Sequence, residues 1–240
     1  MDKQSPSSRE QVRERRSFLT SLNAGAAASL AALAVGSSAM AQEKPASGSH
    51  FEPARHDKDN WLDEIPGKHR LIFDTSSPDG VGDAILFANN FLRTNKSEYG
   101  IEENDLAVIM VMRHRSTPFG YKDSMWAKYG PGLAGHAAPF SDPKTKEVPK
   151  VNIYNSTEYG RLLSSRGMTL EALTKRGVHL AICASATRGT AGEIAQMTGG
   201  NADEINAELI ANILPNGRMV PAGIVAVSRS QERGYTLVKT

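Results

Sequence analysis

The run Leu106–Met112 (Leu-Ala-Val-Ile-Met-Val-Met) is apolar at every position, and that constrains the fold more than any other feature of the chain. A strand with one wet face would alternate polar and apolar residues. An unbroken run suits a strand covered on both faces, as in a parallel sheet flanked by helices. Asp105 before it and Arg113-His114-Arg115 after it mark its ends. Other segments fit the same plan. His69–Thr75 is a short apolar burst closed by Ser76-Ser77-Pro78-Asp79-Gly80, after which Ala84, Phe87, Ala88 and Phe91 recur at helical spacing. Residues 178–183 form a third strand, Met219-Val220 a very short fourth and residues 235–239 a fifth.

Between the strands lie helical signals. Residues 157–165 and 169–176 each open on a capping residue, and residues 192–197 suit a further helical turn. Asn201-Ala202-Asp203-Glu204 resembles a capping box, with Ile205, Leu209 and Ile213 stacked behind it and Pro215-Asn216-Gly217 as the stop. Residues 116–149 read as an irregular insert with a short helix at 122–129, and residues 151–154 as a minor strand. Residues 224–232 suit helix or strand by period alone. Strands alternating with helices argue for a doubly wound α/β domain.

The N-terminal region is of another kind. A polar stretch ends in Arg15-Arg16-Ser17-Phe18-Leu19, and an apolar, Ala-rich run follows that closes on Ala39-Met40-Ala41. This pattern reads as a twin-arginine signal peptide over residues 1–41, cleaved between Ala41 and Gln42. Ser, Gly and Asn interrupt the apolar run, which argues against a membrane anchor. The expectation is a periplasmic protein that meets the Tat translocase only during export. Cleavage removes Lys3, Arg9, Arg13, Arg15 and Arg16 with Asp2, Glu10 and Glu14, leaving acidic and basic residues in balance. That balance speaks against a nucleic-acid partner. Residues 42–67 read as a polar arm, with Trp61-Leu62 tucked onto the domain that spans residues 68–240.

Chemistry centres on Cys183, the only cysteine, which excludes an intramolecular disulfide. It lies at the carboxyl end of a buried strand, where open α/β sheets bind ligands. A helix start and Arg188 nearby would favour the thiolate, the form that attacks or accepts sulfur. The competing reading is a small buried core residue. His114, just past the end of the long strand, shares the same rim and could exchange a proton with the thiol; it could equally be part of a solvated strand end. His69 and His179 read as structural histidines, and His136 falls in a Gly/Ala-rich loop. No His-x-x-x-His or Cys-x-x-Cys spacing exists, so no metal is expected. Asp79 and Asp83 beside Gly80 and Gly82 weigh against a nucleotide cofactor.

Gly177-Val178-His179-Leu180-Ala181-Ile182-Cys183, followed by Ala184-Ser185-Ala186-Thr187-Arg188, forms one distinctive block. Met219-Val220-Pro221-Ala222-Gly223-Ile224-Val225 and Gln231-Glu232-Arg233-Gly234-Tyr235 form another. Together they resemble the DsrE/DsrF/YchN superfamily of sulfur-relay proteins. The resemblance implies a single three-layer α/β domain: a five-stranded, mainly parallel sheet with helices on both faces. It also implies a helix over residues 224–232 and assembly into homotrimers or hexamers. In sulfur-carrying members the cysteine at the position of Cys183 bears a persulfide exchanged with a donor or acceptor protein, and a histidine at the position of His114 is common. This chain departs from the pattern in its export and in the insert 116–149, which would lie over the rim.

The expected function is therefore an exported sulfur carrier or redox-active thiol protein, with Cys183 as nucleophile and His114 and Arg188 as its partners. The alternative is a non-catalytic periplasmic module that binds a small ligand or serves as a structural oligomer.

Overall fold

Among the described residues five parallel strands carry the fold: β1 (His69–Thr75), β2 (Leu106–Met112), β3 (His179–Cys183), β4 (Gly217–Val220) and β5 (Thr236–Lys239). Their spatial order is β4-β3-β2-β1-β5, so the all-apolar β2 is the middle strand. It is buried at every position because it pairs with β1 and β3 and is covered above and below. This computed structural model describes residues 52–240. The expected signal peptide and its cleavage point lie outside the described residues.

Among the described residues seven helices accompany the sheet: α1 (Trp61–Glu64), α2 (Pro78–Tyr99), α3 (Asp123–His136), α4 (Leu170–Thr174), α5 (Ala184–Thr198), α6 (Ala202–Ala211) and α7 (Gly223–Gln231). Among the described residues no helix is long and apolar enough to cross a membrane. Strand alternation sorts the side chains. Phe73, Val108, Met110, Met112, Leu180 and Ile182 enter a large core that includes Ile85 of α2, Trp126 of α3, Leu173 of α4, Ile194 of α5 and Leu209 of α6. Ile72, Ala107, Ile109, Val111 and Ala181 face the other way, into a small core with Trp61, Leu62, Ala226, Val227 and Tyr235. A thick helical layer thus covers one face, while only α7 and the N-terminal arm cover the other.

Local chemistry fixes most of the ends. Ser77 caps α2 by accepting the Gly80 N–H at 3.1 Å, Pro78 sits at the first helical position and Gly100 closes the helix at φ 63°. Thr169 caps α4, and the Asn201 side-chain Oδ1 accepts both Asp203 and Glu204 N–H groups to open α6, as the sequence predicts. The stretch that suits either element by period is helical over Gly223–Gln231, as the family resemblance implies.

Four expectations are corrected. Residues 151–154 form no strand: Ile153–Asn155 is a 3₁₀ turn held by the Asn152 side chain. Residues 157–165 form no α-helix but a 3₁₀ segment broken at Gly160, whose φ is 48°. The insert 116–149 is not irregular throughout, because Asp123–His136 is helical with a kink at Tyr129 just before Pro131, and Phe119, Tyr121 and Trp126 are buried in the large core. Asn152 secures this region by donating to the carbonyls of Phe119 and Tyr121 at 2.8 and 2.9 Å. Helix α5 also starts earlier than residue 192. Its Ser, Thr and Gly content hides it from propensity reasoning. Thr187 and Thr190 satisfy their hydroxyls on carbonyls one turn back, at 2.9 Å each.

Candidate functional site

Strand β3 passes into α5 without a loop, and Cys183 is the hinge residue. Its backbone is still extended (φ −73°, ψ 108°), and its Sγ accepts the Ala186 N–H at 3.4 Å. The thiol therefore occupies the N-cap position that Ser, Thr, Asn or Asp usually fills. The unpaired N–H groups of the helix start point toward the sulfur, where they favour negative charge. Cys183 is 7% exposed and lines a cavity of about 370 Å³ together with Arg113, His114, His136, Gly189 and Ile224.

Register explains which side chains meet. Met112 pairs with Ile182, so the next residue of each strand line, Arg113 and Cys183, project to the same side. Asp74 of β1, opposite Val111, projects that way too. Three adjacent strands thus end in a row of Asp74, Arg113 and Cys183 on the thinly covered face. The Arg113 guanidinium grips the buried Asp74 carboxylate through two nitrogens, with Nη2 donating at 2.8 Å. That hydrogen bond, opposed by burial and reinforced by the charges of Asp74 and Cys183, holds the Arg113 pKa above its ordinary value. Arg113 is therefore a fixed cation beside the sulfur. Gly223 at the start of α7 is required for this arrangement: a Cβ there would lie 2.5 Å from Arg113 Cβ.

His114 follows in the left-handed region, at φ 54°, which costs a non-glycine residue about 1 kcal/mol. The conformation is imposed from below. Ser116 is buried, and its Oγ accepts the Arg113 N–H at 2.9 Å while lying 2.9 Å from the Thr75 carbonyl oxygen. This pins the turn, so the exposed His114 is held at the cavity mouth. The carbonyl of Cys183 is fixed as well. Thr187 Oγ1 donates to it at 2.9 Å and accepts from the buried Tyr121 hydroxyl at 2.8 Å, and burial pushes that phenol's pKa up.

Of the sequence candidates, the structure brings Cys183 and His114 together. Arg188 lies apart: it is exposed and does not line the cavity, whereas its neighbours Ser185, Ala186 and Gly189 do. Helical geometry is the reason, since residue 188 points away from the face that residues 185 and 189 share. The cation beside the thiol is Arg113. Its sequence signal was available, as the first residue past the buried strand at the parity of Cys183.

His136 is the other missed residue. It ends α3, and its Nδ1 lies 3.0 Å from Glu193 Oε2 of α5. Gly132 lets α3 approach α5 there, since a side chain would overlap Ile194. His69 and His179 stand at strand starts, remote from this carboxyl rim. Among the described residues no group of His, Cys, Asp and Glu is arranged to hold a metal ion.

Fold and site together define an α/β protein with a single helix-capping thiol at the carboxyl rim of a parallel sheet, flanked by one arginine and two histidines. No family model, no curated protein and no solved structure matches this chain.

Proposed function

We propose that this protein is an exported sulfur carrier of the DsrE-like type, in which the Cys183 thiolate attacks a sulfane sulfur and holds it as a persulfide. The observation that carries the reading is the setting of Cys183. A helix N-terminus that donates to Sγ and a fixed Arg113 cation converge on a thiol that opens into a cavity. A thiol kept only for packing requires neither. Attack expels the donor's former partner with its electron pair and leaves the sulfur on Cys183, with His114 at the mouth as proton partner. Arg113 takes the role that sequence reasoning gave to Arg188.

Export to the periplasm rests on Arg15-Arg16 and the Ala39-Met40-Ala41 cleavage pattern. Assembly into a trimer or hexamer, and exchange of sulfur with a partner protein, belong to the same proposal. Exposed Ile224 and Val225 on the first turn of α7 supply an apolar surface for contact.

Intact-mass measurement after exposure to polysulfide tests the reading. Native protein gains sulfur that reductant removes, Cys183→Ser gains none, and Arg113→Gln slows alkylation of the native thiol about tenfold while Arg188→Ala does not. A native Cys183 that neither alkylates nor gains sulfur would sink the sulfur-carrier function.

A further inference from the structure

The Cys183 cavity does not end at its histidines. His114 and His136 also line a second cleft of about 720 Å³, together with Arg115, Glu193, Gln196 and Met197. The two histidines therefore border both spaces, of which the smaller holds the nucleophile and the larger holds none. The larger chamber has the size of a site for a small organic molecule, and its lining consists of binding groups. Arg115 is exposed and forms no ion pair among the described residues, unlike Arg113, which is committed to Asp74. Such a guanidinium suits a carboxylate. Exposed Met197 and Pro139 offer apolar contact to a ligand's body.

The two histidines differ in what they can reach. His136 is held through Nδ1 by Glu193, and its Nε2 is buried, so it serves as a fixed boundary of the cleft. His114 is exposed and lines both spaces. A neutral imidazole has one ring nitrogen that accepts, able to take a proton from a group beside it.

We propose that this second cleft binds a low-molecular-weight thiol carrying a carboxylate, which takes sulfur from Cys183 where the two spaces meet at His114 and His136. Arg115 anchors the carboxylate, and His114 accepts the proton of the ligand's S–H. The resulting thiolate attacks the outer sulfur of the Cys183 persulfide. A new S–S bond forms on the ligand, the bond between that sulfur and Sγ breaks, and its electron pair returns to Cys183 as thiolate. The sulfur moves at constant oxidation state, so no external oxidant or reductant enters. The inference rests on the reading of Cys183 as the sulfur-bearing nucleophile.

Glutathione serves as the probe, with its diethyl ester as the carboxylate-free comparator. Calorimetric titration of the Cys183→Ser protein with glutathione shows saturable binding, weakened about tenfold by Arg115→Ala and by esterification. Wild-type protein preloaded with sulfur from polysulfide transfers it to glutathione with a saturating rate. His114→Gln slows that transfer about tenfold while leaving the binding constant within about twofold. Equal transfer to glutathione and its ester, or unchanged binding in Arg115→Ala, overturns the proposal. Sulfur loading without glutathione binding leaves the carrier function standing and makes the acceptor a protein, which also overturns the cleft assignment. Glutathione binding to a protein whose Cys183 never loads overturns the transfer step and the carrier function while leaving the cleft as a ligand site.

Discussion

The two faces of the sheet are built by different means. The thick face is held by apolar area: Phe119 packs against Trp126, Phe140 and Tyr154 with ring centroids 5.0–5.3 Å apart, over strand residues that are almost wholly buried. The thin face has a small apolar core and is fastened by polar ties. Tyr235 Oη donates to the Leu62 carbonyl at 2.8 Å, the fully buried Arg233 side chain donates to Asp63 at 3.1 Å, and Arg218 stacks over Trp61 at 5.5 Å. Charge-assisted bonds substitute for area where one helix and a short arm must cover a whole sheet face. The difference bears on function. Cys183, Arg113 and Asp74 project to the thin face by strand parity, and sparse cover at its carboxyl edge leaves the cavity open.

Each face holds one of the two tryptophans, so substitutions there test the comparison directly. Trp126 is 1% exposed and its indole N–H donates to the Pro118 carbonyl at 3.1 Å. Trp126→Ala should lower unfolding free energy by about 4 kcal/mol, the middle of the range for aromatic truncation. Trp61→Ala should cost about 2 kcal/mol, because the arm can detach without opening the main core. Denaturant titration measures both, and an equal or larger loss for Trp61 breaks the contrast. Asp74→Asn comes next. It leaves the largely buried Arg113 charge without its partner and should cost about 2–3 kcal/mol. The same variant should raise Cys183 alkylation, since the freed guanidinium then serves the sulfur alone. Unchanged alkylation would show that Asp74 does not restrain Arg113.

Gly223→Ala sharpens the thin face further. The added methyl must displace Arg113 or lift α7, at a cost of about 1–3 kcal/mol. Gly135→Ala on the thick face is the control, because nothing lies within 4 Å of a Cβ there, and it should leave the denaturation midpoint almost unchanged.

The smallest effects come from pH, and they separate the faces. Burial first, and the Arg218 charge second, lower the pKa of His179, which projects to the thin face. The unfolded chain then binds the proton more readily, so this contribution is complete above about pH 6.5 and is lost as pH falls below it. Glu103 hydrogen-bonds Arg176, and that bond, opposed by burial and aided by the Arg176 charge, lowers its pKa. Its contribution holds above its ordinary value of 4.5 and is lost on further acidification. Thermal melts should therefore decline in two stages. His179→Gln should remove the first and Glu103→Gln the second; a single decline unaffected by either variant refutes the assignment.

Much of this was decided by the sequence alone. The unbroken apolarity of Leu106–Met112 demands cover on both faces, and Ser77, Thr169 and Asn201 announce their helices because a cap acts on N–H groups two or three residues away. Cys183 at a strand end is legible for the same local reason. Other features needed the tertiary structure. His136 reaches the rim only because Gly132 admits α3 against Ile194, and Arg113 rather than Arg188 meets the sulfur because strand register and helix rotation place them so. Periodicity and capping act within a turn or two of chain and can be read along it. Which side chains meet depends on close approach between distant segments, and that is settled by how the layers pack.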